Sequence, residues 1–262
     1  MKAAAFDFVR PRDLQDAIKL LSEGNDAKPA AGTQSLGPML NLRIVQPSLL
    51  VDLRHIPELV SFSEKPESIT LGACITHAQI EDGKVPDPSR GFMREVAAGI
   101  AYRAVRNRGT IGGSLAHADP AADWPSALAA LGAVAIVAGP GGRREVPVER
   151  FIKGVFETDL APGEILAAIR IPKLSPRARA GYWKFCRKAG EFAQAIGAAV
   201  EDPERGFSRR VLGATGSSPF VVPQNLFENH LAAADAAGLG GDAYNRQLHA
   251  VALRRAIERM AA

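Results

Sequence analysis

Two short segments of this chain carry the residue types for gripping an anion: Ala31-Gly32-Thr33-Gln34-Ser35 and Thr110-Ile111-Gly112-Gly113-Ser114. Glycine lets a ligand approach backbone N–H groups closely, and neighbouring Ser and Thr hydroxyls add donors at little steric cost. Amides from two such turns, if the turns converge, suit the pyrophosphate of a dinucleotide. A lone Gly-Gly is more often only a tight turn, because glycine is the default residue there. Two turns, each flanked by hydroxyls, shift the balance toward a ligand without deciding it. The Gly-x-Gly-x-x-Gly that follows the first strand of a Rossmann fold is absent, and neither turn runs into the Lys-Ser/Thr of a P-loop. A nucleotide held here belongs to some other architecture.

Other chemistries find less support. Cys74 and Cys186 are the only cysteines, too few for the four thiolates of an iron–sulfur cluster. A disulfide between them is possible but unnecessary in a cytosolic chain of this size. His55, His77, His117, His230 and His249 are scattered without zinc-ligand spacing. No metal site and no catalytic residue is therefore assigned. Lys and Arg number 32 against 28 Asp and Glu, a net charge of +4. The basic residues form no stripe interleaved with aromatics, which argues against nucleic acid. With 47% apolar and 23% charged residues, the 262-residue chain can bury a sizeable core. It has no apolar run long enough to span a membrane and no signal-peptide pattern, so the expected location is cytoplasmic.

The elements that must position the two turns follow from periodicity. Asp13 reads as the N-cap of an amphipathic helix built on Leu14, Ala17, Ile18 and Leu21, stopping near Gly24. A short helix is expected over 38–43, a buried strand over 49–53, a half-buried strand over 69–75, and a helix over 92–105. Further helix is expected over 123–131, and strands over 133–138, 165–171, 182–187, 193–200 and 209–214. Two helices, 225–236 and 242–260, end the chain. Pro172-Lys173-Leu174-Ser175-Pro176 reads as a linker. The class is α+β.

With the two turns in register, the chain resembles the medium, FAD-binding subunits of the molybdenum hydroxylase family, of aerobic carbon monoxide dehydrogenase and xanthine dehydrogenase type. The family pattern Ala-Gly-Gly-x-Ser/Asp-Leu resembles Ala31–Leu36. Thr-Ile-Gly-Gly-Asn/Asp/Ser, followed by Pro and Ser/Ala-Asp, resembles Thr110–Asp123. Gly163-Glu164-Ile165-Leu166 and Tyr182-Trp183-Lys184-Phe185-Cys186-Arg187-Lys188 match two later motifs in order and spacing. Two departures stand out. The second family glycine of the first turn is Thr33, which would be strained if the position needs positive φ. The C-terminal run Leu212–Val221 lacks a family arginine.

The resemblance implies a bipartite FAD-binding domain of the vanillyl-alcohol-oxidase (PCMH) type over 1–176, with subdomains of about 1–57 and 58–176. A small CO dehydrogenase flavoprotein-like α+β domain over 177–262 follows. By the same resemblance, Lys28, Pro29, Ala30, Ala31, Gly32, Thr33, Gln34, Ser35 and Leu36 hold the pyrophosphate and ribityl chain, together with Thr110, Ile111, Gly112, Gly113 and Ser114. Asp123 sits near polar groups of the cofactor, Leu166 packs on the isoalloxazine, and Lys184 lies beside it. A cation there favours the reduced, anionic flavin. The implied partners are an iron–sulfur small subunit with 2Fe–2S clusters and a molybdopterin large subunit, in a heterotrimer or its dimer. Electrons pass through FAD to an external acceptor. Two other readings are a stand-alone flavin oxidoreductase of the same fold and an assembly protein that has lost FAD.

Overall fold

The structure is a computed structural model, and it describes residues 2–24 and 26–260. Among the described residues, three sheets of three or more strands appear in chain order, with one two-stranded hairpin besides. The first comprises β1 (Asp7–Val9), β2 (Ala27–Ala30) and β3 (Leu49–Asp52), all parallel in the order β1-β3-β2. Helices α1 (Leu14–Glu23) and α2 (Leu36–Asn41) supply its crossovers. Asp13 caps α1 as expected, accepting from the Asp16 amide at 2.8 Å, and Leu14, Ala17 and Ile18 turn inward.

The middle region contains α3 (Pro57–Val60), β4 (Phe62–Glu64), β5 (Ser68–Gly72), α4 (His77–Glu81), α5 (Phe92–Gly99), α6 (Arg103–Arg106), α7 (Ile111–His117) and α8 (Asp123–Ala130). It continues through β6 (Val134–Gly139), β7 (Gly142–Pro147), α9 (Val148–Phe151), the hairpin β8 (Ile152–Gly154) and β9 (Glu157–Thr158), and β10 (Ile165–Pro172). Its antiparallel sheet runs β4-β5-β10-β6-β7. The last region is an antiparallel sheet of β11 (Arg179–Phe185), β12 (Ala195–Asp202), β13 (Phe207–Gly213) and β14 (Phe220–Val221), in that order, with α10 (His230–Ala234) and α11 (Ala243–Arg259).

Every residue of α8 is buried, because this helix is packed between the middle region and the last sheet. Trp124 at its start is fully enclosed and joins a core that extends from Ile69 and Leu71 to Ile196 and Val211. The opposite face of the last sheet receives α11 at short range. A Cβ on Gly181 would stand 2.0 Å from the Ala256 carbonyl oxygen, and one on Gly197 2.4 Å from that of Ala252. Only glycine fits at these crossings.

Three expectations need correction. The helix expected over 92–105 is two, α5 and α6: Ile100 is extended and Ala101 sits at φ 40°. Local apolar periodicity persists through this break, so it does not reveal it. The second glycine segment is the first turn of α7 rather than a loop, with Thr110 as N-cap. The helix expected over 225–236 is a 3-10 turn at Gln224–Leu226, then the short α10, which Asn229 caps.

Candidate cofactor-binding cleft

The first glycine turn leaves the C-terminal end of β2 and enters α2. The second follows α6 and opens α7, bonded to the segment between β5 and α4. They meet. A Cβ on Gly32 would lie 2.0 Å from the Arg108 carbonyl oxygen and 2.8 Å from the Gly109 Cα, and one on Gly113 would lie 3.9 Å from the Ala31 Cβ. Between and beside them opens a cavity of about 510 Å³, large enough for a sizeable ligand.

The two turns spend their backbone donors differently. In the second, the Ile111 amide donates to the Ile75 carbonyl at 3.0 Å and that of Gly112 to Ala73 at 2.9 Å. The Thr110 hydroxyl accepts from the Gly113 amide at 3.0 Å, and the Thr110 carbonyl accepts from Ser114 at 3.0 Å. All four amides are committed within the protein. Among the described residues, those of Gly32, Thr33, Gln34 and Ser35 have no internal acceptor, although all four residues line the cavity. Buried or half-buried amides of this kind call for an external partner. The amides left free within the protein thus lie on the first turn. The first turn offers the N–H groups, and the second offers close approach and the Ser114 hydroxyl.

Thr33 holds φ at 58°, the left-handed region that disfavours a β-branched side chain. The strain raised by the sequence is real. It is fixed from both sides: the Thr33 carbonyl accepts from the Gly37 amide at 2.8 Å, and Gln34 Nε2 donates to the Gly32 carbonyl at 3.1 Å.

Of the residues expected at the site, Lys28, Pro29, Ala31, Gly32, Thr33, Gln34, Ser35, Leu36, Thr110, Gly112, Gly113, Ser114, Asp123 and Leu166 line the cavity. Three do not. Ala30 is buried beside Leu40 and Leu50. Ile111 is fully buried in the main core, because the helical turn that presents Gly112 and Gly113 aims it inward. Lys184 stands behind the wall, where its Nζ donates to Asp123 Oδ1 at 2.7 Å and to the Gly99 carbonyl at 2.8 Å. The Tyr182 hydroxyl donates to the same Asp123 oxygen at 2.7 Å. Burial, with the carboxylate beside it, raises the Tyr182 phenol well above its usual range. Strand β11 thus ties the last sheet to the start of α8 at the cavity edge.

Residues that sequence reasoning left without a cofactor role complete the wall. His77 opens α4, whose N-cap Thr76 forms a capping box with Gln79. Trp124 Nε1 donates to His77 Nδ1 at 3.0 Å, so the ring proton resides on Nε2. Burial, then the nearby Arg106, lowers the imidazole to about 4. Cys74 lines the cavity as an inert thiol, pushed up to about 12 by burial. Both cysteines are free. Met39, Val45, His117 and Phe192 also line the cavity, and no motif in the sequence marked them. Among the apolar lining, Leu36 and Val45 pack on the small core of the first sheet, Leu53 and Ile165 on the core around α1, and Ile100, Leu160 and Leu166 on the main core.

A cleft with uncommitted amides beside an apolar lining fits a flavin dinucleotide, and the surrounding α+β fold suits a flavoprotein of the bipartite FAD-binding class. Residues 4–174 match the family described as the FAD binding domain in molybdopterin dehydrogenase, and the chain belongs to that family. It is similar to the 6-hydroxypseudooxynicotine dehydrogenase complex subunit alpha of Paenarthrobacter nicotinovorans, 39% identical over 76% of this chain and 67% of that one. The carbon monoxide dehydrogenase medium chain of Afipia carboxidovorans is 32% identical over 99% of this chain and 98% of its own length. Among solved structures, reconstituted CO dehydrogenase from Oligotropha carboxidovorans superposes with a TM-score of 0.90, at 32% identity and 99% coverage of both chains. Quinoline 2-oxidoreductase from Pseudomonas putida 86 gives 0.86, at 32% identity over 100% of this chain and 98% of that one. The chain is an FAD-binding medium subunit of the molybdenum hydroxylase family, an oxidoreductase flavoprotein.

Proposed function

We propose that this subunit relays electrons from 2Fe–2S clusters on a small partner chain, through its FAD, to an external acceptor. A molybdopterin large subunit oxidises the substrate in this reading. The assembly is a heterotrimer or a dimer of heterotrimers in the cytoplasm. No described helix is long and apolar enough to cross a membrane. We place the FAD-binding domain at 1–176, with subdomains of about 1–57 and 58–176, and the C-terminal domain at 177–262.

The observation that carries the site is the row of uncommitted amides at Gly32–Ser35 facing the second turn. These amides bind the pyrophosphate, assisted by the Ser35 and Ser114 hydroxyls. Leu166 and Ile100 would pack on the isoalloxazine, and Leu36 and Val45 would hold the adenine. Asp123, whose Oδ1 Lys184 and Tyr182 share, would face polar groups of the cofactor. Bound flavin supplies redox chemistry in one- and two-electron steps. The ionisable groups on the wall serve to orient: Asp123 is held by Lys184, His77 by Trp124 and Glu164 by Arg144. That disposition favours a relay over substrate chemistry on this chain.

Rapid-mixing absorbance of the assembled complex tests the relay. Substrate should bleach the flavin only when the molybdenum and iron–sulfur chains are present. Equal bleaching by the isolated chain would favour the stand-alone oxidoreductase instead.

A further inference from the structure

A second cavity, of about 320 Å³, lies away from the cleft, between α9 and the segment leading through β14. Its walls combine Glu149, the Thr215 and Ser218 hydroxyls, and the apolar surfaces of Pro219, Val221 and Ala236. Glu149 Oε1 pairs with Arg209 Nη2 at 3.1 Å, and the side chain is 22% exposed. Its Oε2 is covered and has no hydrogen-bond partner among the described residues. A carboxylate has acceptor sites for about four donors, and a buried one left short of partners is unusual. Glu149 lines the cavity, and Oε2 would reach it by a turn about the soft terminal torsion of Glu, which also moves Oε1 against Arg209.

The segment that carries Thr215 and Ser218 into the wall is braced. The Ala214 amide donates to the Pro120 carbonyl at 3.0 Å, His249 Nε2 contacts the Ala214 carbonyl at 3.2 Å, and Thr215 Oγ1 donates to the Ser218 carbonyl at 3.4 Å. Arg209 is itself anchored on its other side, with Nη1 on the Ala129 carbonyl at 2.9 Å. The space far exceeds the roughly 30 Å³ share of one water.

We propose that this cavity is a socket for a guanidinium or alkylammonium group. The cation binds Glu149 and the hydroxyls, and its alkyl portion lies on Pro219, Val221 and Ala236. A guanidinium, with five donors in a planar fork, matches a carboxylate flanked by hydroxyls. The group arrives on a small molecule or on an Arg or Lys side chain of a neighbouring subunit. The proposal is independent of the flavin assignment.

Ethylguanidinium chloride is the probe, titrated in the millimolar range against the full chain, with sodium chloride at equal ionic strength as control. A saturable rise in melting temperature is expected for the unmodified chain and lost in Glu149→Gln. Ala236→Leu fills the cavity and leaves the Glu149–Arg209 pair intact, so it should also abolish the rise even if Glu149→Gln folds poorly. If Ala236→Leu also weakens association with the partner subunits by about tenfold or more, the group belongs to a neighbouring chain. Unchanged association assigns the socket to a free small cation. No saturable rise, or an equal rise in the unmodified chain and Ala236→Leu, overturns the proposal.

Discussion

The two glycine turns look alike in sequence and play opposite parts in the structure. The turn at Thr110–Ser114 is consumed by its own fold: Thr110 caps α7, Ala73 and Ile75 take the Gly112 and Ile111 amides, and a Cβ at Gly112 would meet the Ala73 Cβ at 2.4 Å. The turn at Ala31–Ser35 keeps four amides uncommitted and holds a threonine in a conformation suited to glycine. One turn is spent on the fold, and the other is left with free amides. Glycine content alone does not separate these roles. The difference lies in where the backbone hydrogen bonds go.

The sharpest way to break that contrast is Gly32→Ala. The new Cβ would overlap the Arg108 carbonyl oxygen, forcing the turns apart. Flavin retention should fall by more than about 100-fold while circular dichroism stays that of a folded chain. Flavin content after gel filtration is the readout, and full retention would show that the turns need not touch.

Next comes pH. His77 supports the second turn, its amide donating to the Gly109 carbonyl at 2.9 Å. Its imidazole is lowered to about 4 in the fold, against roughly 6.5 when unfolded. The unfolded chain therefore binds the extra proton first. The contribution of neutral His77 is fully present above about pH 6.5 and is lost as pH falls toward 4, a change on the order of 2–3 kcal/mol. Urea midpoints at pH 7 and pH 5 should differ less in His77→Gln than in the unmodified chain. Equal differences would remove His77 from the support of the second turn.

Smaller again is Thr110→Ala. Loss of the cap should cost about 1 kcal/mol, seen as a melting temperature lower by a few degrees, with flavin affinity little changed. A large loss of affinity at unchanged stability would mean that this hydroxyl serves the ligand instead. The smallest effect is expected at Thr33→Gly. Relief of the left-handed strain, offset by the greater freedom of unfolded glycine, should stabilise the chain by up to about 1 kcal/mol and preserve flavin binding. Destabilisation would indicate that the Thr33 side chain makes contacts that outweigh its strain.

Much of this was legible in the sequence. The Asp13 cap, the α8 helix, the alternation at Ile69 and Leu71, and both turns follow from short-range patterns that the folded chain preserves. Motif order pointed to Asp123, Leu166 and Lys184, yet Lys184 reaches the cleft only through Asp123 because the register of β11 places it behind α8. The break at Ile100–Tyr102 was hidden, since apolar spacing continues across it. Met39, Val45 and Phe192 were invisible because their place on the wall depends on packing between distant segments. The partition of backbone donors was equally out of reach, for it is decided by Ala73 and Ile75, which only the tertiary fold brings to the second turn.

The central claim is tested most directly by the structure of the subunit, within its complex, with FAD bound. Amides from Gly32–Ser35 should lie within hydrogen-bonding distance of the pyrophosphate oxygens, with those of Ile111 and Gly112 still donating to Ile75 and Ala73. A pyrophosphate held by the Ile111 and Gly112 amides, with the first turn out of contact, would contradict this account.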